Sequence, residues 1–301
     1  MEKTEFKQGV IYALAAYVMW GFAPLYFKLL DQVPAPEILM HRIIWSFVLL
    51  FFLVLASGQL EQVLLLLKKP KKLAILLVTA VLVAFNWLVF IWAVNSDQIL
   101  EASLGYFINP LLNVALGVIF LKERLPRLQL FAVALAACGV LIQLLVFGSI
   151  PWVSLVLAGS FGVYGLIKKK VQLKAITGLF VETAILLPLA LLYWLQLDSA
   201  SSDFSDNTLT LNITLICAGV ITSLPLLAFA AAAVRIPYYM MGLFQYIGPS
   251  MMFVMAITLF GEVLDATKLT TFAFIWLALM IFVYDIWRQS KKRKAIESGN
   301  N

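Results

Sequence analysis

The chain has 301 residues, 63% of them hydrophobic and 13% charged, with a formal net charge of +6 and a mean hydropathy of +0.97. Soluble domains are about half apolar and a quarter charged, so this composition excludes an ordinary soluble enzyme or binding domain and indicates an integral membrane protein. The apolar runs are too long and too unalternating for barrel strands, which leaves helices that satisfy their own backbone hydrogen bonds in lipid.

A crossing needs about 20 mainly apolar residues. In chain order the sequence predicts ten spans, near 9–30, 37–57, 73–94, 100–121, 127–147, 151–168, 176–197, 211–233, 238–260 and 267–287. Breakers separate them: Pro34 and Pro36, Pro70, Pro126, Pro151, Pro237 and the polar run Asp198–Asn207. The first run, Gly9–Leu30, is too long for the core of a cleaved signal. Gln59–Leu67 is a short amphipathic piece and is expected to form an interfacial helix. Cys138 and Cys217 fall mid-span and are expected to be buried, inert thiols. Trp152, Trp194 and Trp287 at span ends read as interface anchors. The terminal KKRKAIESGNN is expected to be disordered and to touch anionic lipid.

Charge placement predicts orientation. Lys3 and Lys7, Lys68 to Lys72, Lys122 to Arg127, Lys168 to Lys174, Arg235 and the terminal basic run all fall in alternate loops. The opposite loops hold Asp31, Glu37, Asp97, Glu101, Asp198, Asp203 and Asp206, with Lys268 as their base. By the positive-inside rule both termini are cytoplasmic, and the positive charge is a topology signal and not a nucleic-acid surface.

The chain also repeats itself. Leu104–Leu125, LGYFINPLLNVALGVIFLKERL, returns 139 residues later as Leu243–Leu264, LFQYIGPSMMFVMAITLFGEVL. Pro110 then meets Pro249, Phe107 meets Tyr246 and Glu123 meets Glu262. Weaker correspondences near 140 are Arg42 with Glu182, Trp20-Gly21 with Phe161-Gly162, and Asn86 with Pro225. Five spans per unit is an odd number, so the second unit enters from the other side. The predicted architecture is all-α, ten transmembrane helices as two inverted five-helix repeats. The units are residues 1–148 and 149–288, followed by a basic tail, 289–301. Carriers built on that plan place the solute site near the bilayer midplane.

At 1.5 Å per helical residue, Trp20, Asn86, Tyr106, Asn109, Gln245 and Tyr246 share that depth and are the candidate substrate-binding residues. Two readings stay open: a wet cavity opened by Pro110 and Pro249, or ordinary kinks with interhelical amide glue. His41, Arg42 and Glu182, with the two prolines, are candidates for gating or coupling. For His41 and Arg42 a hydrogen-bonded histidine beside a snorkelling arginine is the competing account. Glu123 and Glu262 read as caps or partners of nearby bases, and Asp285 as a cap or partner near the inner end of the last span. No motif for a nucleotide, metal or nucleophile is present, so neither a cofactor nor an enzyme is expected. Driving energy then comes from a proton or solute gradient.

Four strings, GVIYALAAYVMWGFAPLYFKLL, PAPEILMHRIIWSF, NWLVFIWAVNSDQILEASLGYFINPLLN and LFQYIGPSMMF, resemble the EamA-type drug/metabolite transporter superfamily. The resemblance runs over nearly the whole chain. It implies a ten-helix bundle of two inverted five-helix units and a permease of the bacterial inner membrane. The solutes of that superfamily are small: amino acids, other metabolites and drugs. Partners are therefore a small-molecule substrate and membrane lipid. Substrate, direction and oligomeric state, monomer or homodimer, are left open by the sequence.

Overall fold

The computed structural model describes residues 3–96, 98–196, 203–259 and 266–299. Asp97, Asp198, Glu262 and Leu264 lie outside the described residues. The described chain is helical throughout, with twelve helices: α1 (Lys3–Lys28), α2 (Ala35–Ala56), α3 (Leu60–Leu67), α4 (Pro70–Asn95), α5 (Ile99–Leu121), α6 (Arg127–Phe147), α7 (Trp152–Val171), α8 (Ala175–Leu195), α9 (Leu209–Ala233), α10 (Tyr238–Gln245), α11 (Ile247–Thr258) and α12 (Ala266–Gly299). Eight of these are long and apolar enough to cross a membrane.

The predicted breakers act where their chemistry says. Pro34, Pro126, Pro151 and Pro237 stand immediately before α2, α6, α7 and α10, and Pro70 opens α4. These positions need no backbone donor. The amphipathic stretch forms α3, which buries Val63 and Leu66 against α4 and α8 and leaves Leu60, Leu64, Leu65 and Leu67 exposed.

Three expectations fail. The ninth predicted span is two helices, broken at Tyr246. The basic tail continues α12 as far as Gly299. Lys, Arg, Ala and Glu are good helix formers, and adding residues to a formed helix avoids the cost of nucleation. Cys138 is exposed and Cys217 half-buried. A peripheral spanning helix shows one face to lipid, and in a uniformly apolar helix no periodicity marks which face that is.

Helices α1, α2, α4, α5, α7, α9 and α10 enclose the centre. The packed pairs are α1 with α9 and α11, α2 with α8 and α9, α4 with α7 and α8, α5 with α7 and α10, and α6 with α12. Glu5 pairs with Arg235 at 2.9 Å and Lys169 Nζ donates to the Ile236 carbonyl at 2.5 Å. Glu123 reaches Tyr238 and Tyr239. The N-terminus and the loops after α5, α7 and α9 thus meet at one end of the bundle. At the other end Phe204 packs on His41, Trp45 and Trp194.

Candidate functional site

Two polar centres and one seam hold the sequence-predicted residues. The seam lies between α5 and α10. The β-carbon that Gly242 lacks would collide with the Pro110 carbonyl oxygen, so the missing side chain is what lets the two helices meet. Beside that contact Asn113 Nδ2 donates to Gln245 Oε1 at 2.7 Å. The Tyr238 hydroxyl lies 2.9 Å from Asn113 Oδ1 and 2.7 Å from the Gly162 carbonyl, and its one proton serves whichever it faces. Tyr246 Oη donates to the Phe107 carbonyl at 3.2 Å, joining two positions that the 139-residue shift superimposes. Asn109 is buried, and its Oδ1 has no hydrogen-bond partner.

Pro110 and Pro249 do not behave alike. Pro110 lies within the unbroken α5, whereas Pro249 is the third residue of α11. At the basic end, Lys122 ends α5 in the left-handed region at φ 55° and Glu123 N bonds back to the Gly117 carbonyl at 3.1 Å. That turn aims the Glu123 carboxylate at the start of α10, where Oε1 and Oε2 accept from Tyr238 N (2.7 Å) and Tyr239 N (2.9 Å). Glu123 is thus a helix cap, as expected, but the helix it caps is a distant one.

The first polar centre surrounds Arg42. Its Nε donates to Thr222 Oγ1 of α9 at 2.9 Å, and its guanidinium carbon lies 4.5 Å from the Trp87 ring centroid and 5.4 Å from that of Phe27. Tyr106, 40% exposed, stands within electrostatic reach. Asn86, next to Trp87, donates to the Leu157 carbonyl (2.8 Å) and to Ser160 Oγ (2.9 Å) of α7. Trp20 follows, 5.8 Å from both Phe161 and Phe229. Arg42 is thus tied to α4 through Trp87, and Asn86 and Trp20 each meet α7, while Asn109, Gln245 and Tyr246 belong to the seam.

The second centre surrounds Glu182, 1% exposed. Lys168 Nζ lies 2.6 Å from its Oε1, the Thr79 hydroxyl donates to the same oxygen, and Tyr164 Oη is 3.5 Å from Oε2. A void of about 10 Å³ remains there, room for about one water. Glu182 and Arg42 do not pair. A groove of about 500 Å³, almost wholly apolar, lies elsewhere, between α3, α4 and α8, lined by Leu67, Leu77 and Phe180 among others. It contains none of the predicted site residues.

His41 points away from Arg42. Its buried ring packs edge-on against the half-buried Trp194 (5.6 Å) and Phe204 (5.8 Å). Asp285 accepts from Gln129 Nε2 of α6 at 2.9 Å and from Gln289 Nε2 at 2.5 Å, so its partners here are two amides. Asp203, in the loop before α9, accepts from Ser205 Oγ (2.6 Å) and Ser205 N (2.8 Å), which holds its carboxyl below the ordinary aspartate value. Sequence reasoning missed Asn113, Trp87, Thr222, Thr79 and Lys168. Asn113 carried a signal, since it stands one helical turn beyond Asn109 on the same face.

A helical membrane bundle with polar side chains gathered at its internal seams has the make-up of a transporter. The profile of the EamA-like transporter family matches residues 7–145. Over 97% of this chain and all of its own length, Protein RarD of Salmonella typhi is 55% identical. Protein RarD of Escherichia coli K12 is 52% identical over 98% of this chain and 100% of its own. An uncharacterized transporter of Vibrio cholerae is 54% identical over 94% of each chain. A crystal structure of a protein only 12% identical superposes with a TM-score of 0.72 over 92% of this chain and 97% of that one, which shows the fold alone. The chain belongs to the EamA-like transporter family of the drug/metabolite transporter superfamily, and within it to the RarD-type permeases.

Proposed function

We propose that the chain is a secondary carrier of a small metabolite, amino-acid-like solute or drug, working by alternating access between two inverted five-helix units, 1–148 and 149–288. Ten crossings result when α7 and the α10–α11 pair are counted with the eight long apolar helices. The observation that carries the reading is the packing pattern. Exchange α1 with α7, α2 with α8, α4 with α9, α5 with α10–α11 and α6 with α12. Then α1–α9 becomes α7–α4, α2–α9 becomes α8–α4 and α5–α7 becomes α11–α1, while α2–α8, α5–α10 and α6–α12 map onto themselves. The Tyr246–Phe107 hydrogen bond, between positions the shift equates, supports an axis passing near that seam. Two similar halves that can exchange roles are what alternating access needs.

The basic loops support cytoplasmic termini and a bacterial inner membrane, and the reading takes transport to be outward. The names of the relatives support a transporter and leave its solute open. Counterflow of labelled solutes in proteoliposomes tests the reading, with a panel that includes amino acids and chloramphenicol. Protein-dependent exchange of at least one solute is expected, and no flux across the whole panel overturns it. Cysteines placed at 168–174 are expected to resist membrane-impermeant labelling from outside the cell, and labelling there overturns the orientation.

A further inference from the structure

The two halves carry a charged side chain at corresponding places, and only one of them has a counter-ion. Arg42 of α2 bonds to Thr222 of α9, and Glu182 of α8 bonds to Thr79 of α4, so the two contacts exchange when the halves do. Glu182 is closed off by Lys168 at 2.6 Å, with a void of about 10 Å³ beside it. Arg42 has no such counter-ion. It is half-buried and spends Nε on Thr222, its guanidinium carbon lies over the rings of Trp87 and Phe27, and its two Nη groups donate to no acceptor among the described residues. Among those residues no carboxylate forms an ion pair with it or stands in electrostatic contact with it. Helices α2 and α5 are not among the packed pairs, yet Tyr106 of α5 lies within electrostatic reach of the guanidinium and is 40% exposed. Arg42 and Tyr106 are thus both partly accessible, on helices that do not pack against one another.

We infer that Arg42 is the recognition site for a carboxylate carried on a small, planar, apolar body. The hydrogen bond at Nε and the two rings near the guanidinium carbon hold the group in place, and the two Nη groups are left without an acceptor. Those two donor groups match two carboxylate oxygens, as a lysine ammonium does not. Trp87, Phe90 and Tyr106 offer aromatic surface for the body beside the charge. An arginine without a counter-ion inside a spanning bundle is costly, and an arriving anion removes that cost. The inference rests on the carrier reading and names the chemistry of its solute.

Full-length protein in phosphatidylcholine nanodiscs is titrated by calorimetry with phenylacetate, with neutral phenylacetamide, with phenethylamine and with inorganic phosphate. Phenylacetate is expected to bind, and the amide and amine at least about tenfold more weakly. Arg42→Gln is expected to lose at least about tenfold for phenylacetate, and Arg42→Lys to fall between it and the parent. Equal binding of acid and amide, unchanged affinity in folded Arg42→Gln, or no binding of phenylacetate overturns the proposal. If Arg42→Gln does not fold, Arg42→Lys decides, and an unchanged affinity there overturns it. Arg42-dependent stabilisation by phosphatidylglycerol nanodiscs or by phosphate, with no response to phenylacetate, assigns the site to a phosphate headgroup or free phosphate and also overturns it. Binding is read here without flux. Arg42-dependent binding without counterflow of any solute rejects the carrier and keeps the site, whereas counterflow unaltered by Arg42→Gln rejects the site and keeps the carrier.

Discussion

On the proposed two-repeat reading, Glu182 and Arg42 stand at matching places, and they deal with the same difficulty in opposite ways. A charge within a membrane bundle is costly unless something neutralises it. Around Glu182 the protein supplies a cation at 2.6 Å, a threonine hydroxyl and a tyrosine, and leaves almost no space. Around Arg42 it supplies one hydroxyl and two aromatic rings, and no counter-ion among the described residues. One centre is complete and the other lacks a partner. On the carrier reading the complete one holds its end of the bundle shut, and the incomplete one is where a solute contributes stability.

The largest effect follows from breaking the complete centre. Lys168→Met leaves Glu182 buried without its cation and is expected to cost about 3–5 kcal/mol, seen as a lower melting temperature in detergent. Adding Glu182→Gln should recover most of that loss, because the stranded charge goes with it. A single variant that melts like the parent would show the pair to be ornamental and erase the contrast with Arg42.

At the same end, Glu123 is also satisfied from within, by two backbone N–H groups at the start of α10. Glu123→Ala orphans both and is expected to cost about 1–3 kcal/mol. Hydrogen exchange at Tyr238 and Tyr239 should quicken more than exchange within α5. Equal quickening in both helices would mean that the carboxylate holds the loop and not the helix start.

Arg42→Leu is expected to behave in the opposite way to Lys168→Met. It removes a charge that has no counter-ion, so stability in detergent should hold or rise by up to about 2 kcal/mol. A fall as large as that of Lys168→Met would mean that Arg42 does have a protein partner and that the two centres are alike.

Much of this was legible in the sequence and some of it was not. Hydropathy and breakers located the helices because crossing lipid imposes a length and a composition that no packing detail can override. The shift of 139 residues pointed to the seam, where Tyr246 meets Phe107. It did not foretell that Pro110 sits in a continuous helix while the chain breaks ahead of Pro249. The difference is one of position: the break falls at Tyr246, which puts Pro249 in the first turn of α11 where no backbone donor is needed, whereas Pro110 lies mid-helix in α5. Lys168 was hidden among the basic residues of its loop, and loop charge says which side a lysine is on but not whether it turns inward. Arg42 was visible as a costly residue. That its counterpart Glu182 is neutralised and it is not depends on side-chain packing, which the sequence does not display.

The smallest expected effect lies at the Arg42 end, in the loop that covers His41. Asp203 accepts two hydrogen bonds from Ser205, and Phe204 between them packs its ring 5.8 Å from His41 and 6.1 Å from Trp45. Those bonds favour the carboxylate, so its pKa in the folded loop lies below the ordinary aspartate value. A depressed pKa contributes order that is complete above the unfolded value and is lost as pH falls through the folded one. The turn should therefore hold at neutral and mildly acidic pH and loosen only in strong acid, which releases Phe204 from His41. Ser205→Ala removes the hydroxyl donor and keeps the backbone one, so the Asp203 titration should move part of the way back toward the ordinary value, with no measurable change in melting temperature. Carbon-13 NMR of labelled aspartate reads the first and calorimetry the second. A titration that does not move would mean that the backbone N–H alone sets it, and a drop in melting temperature would mean that this loop is part of what holds the bundle together.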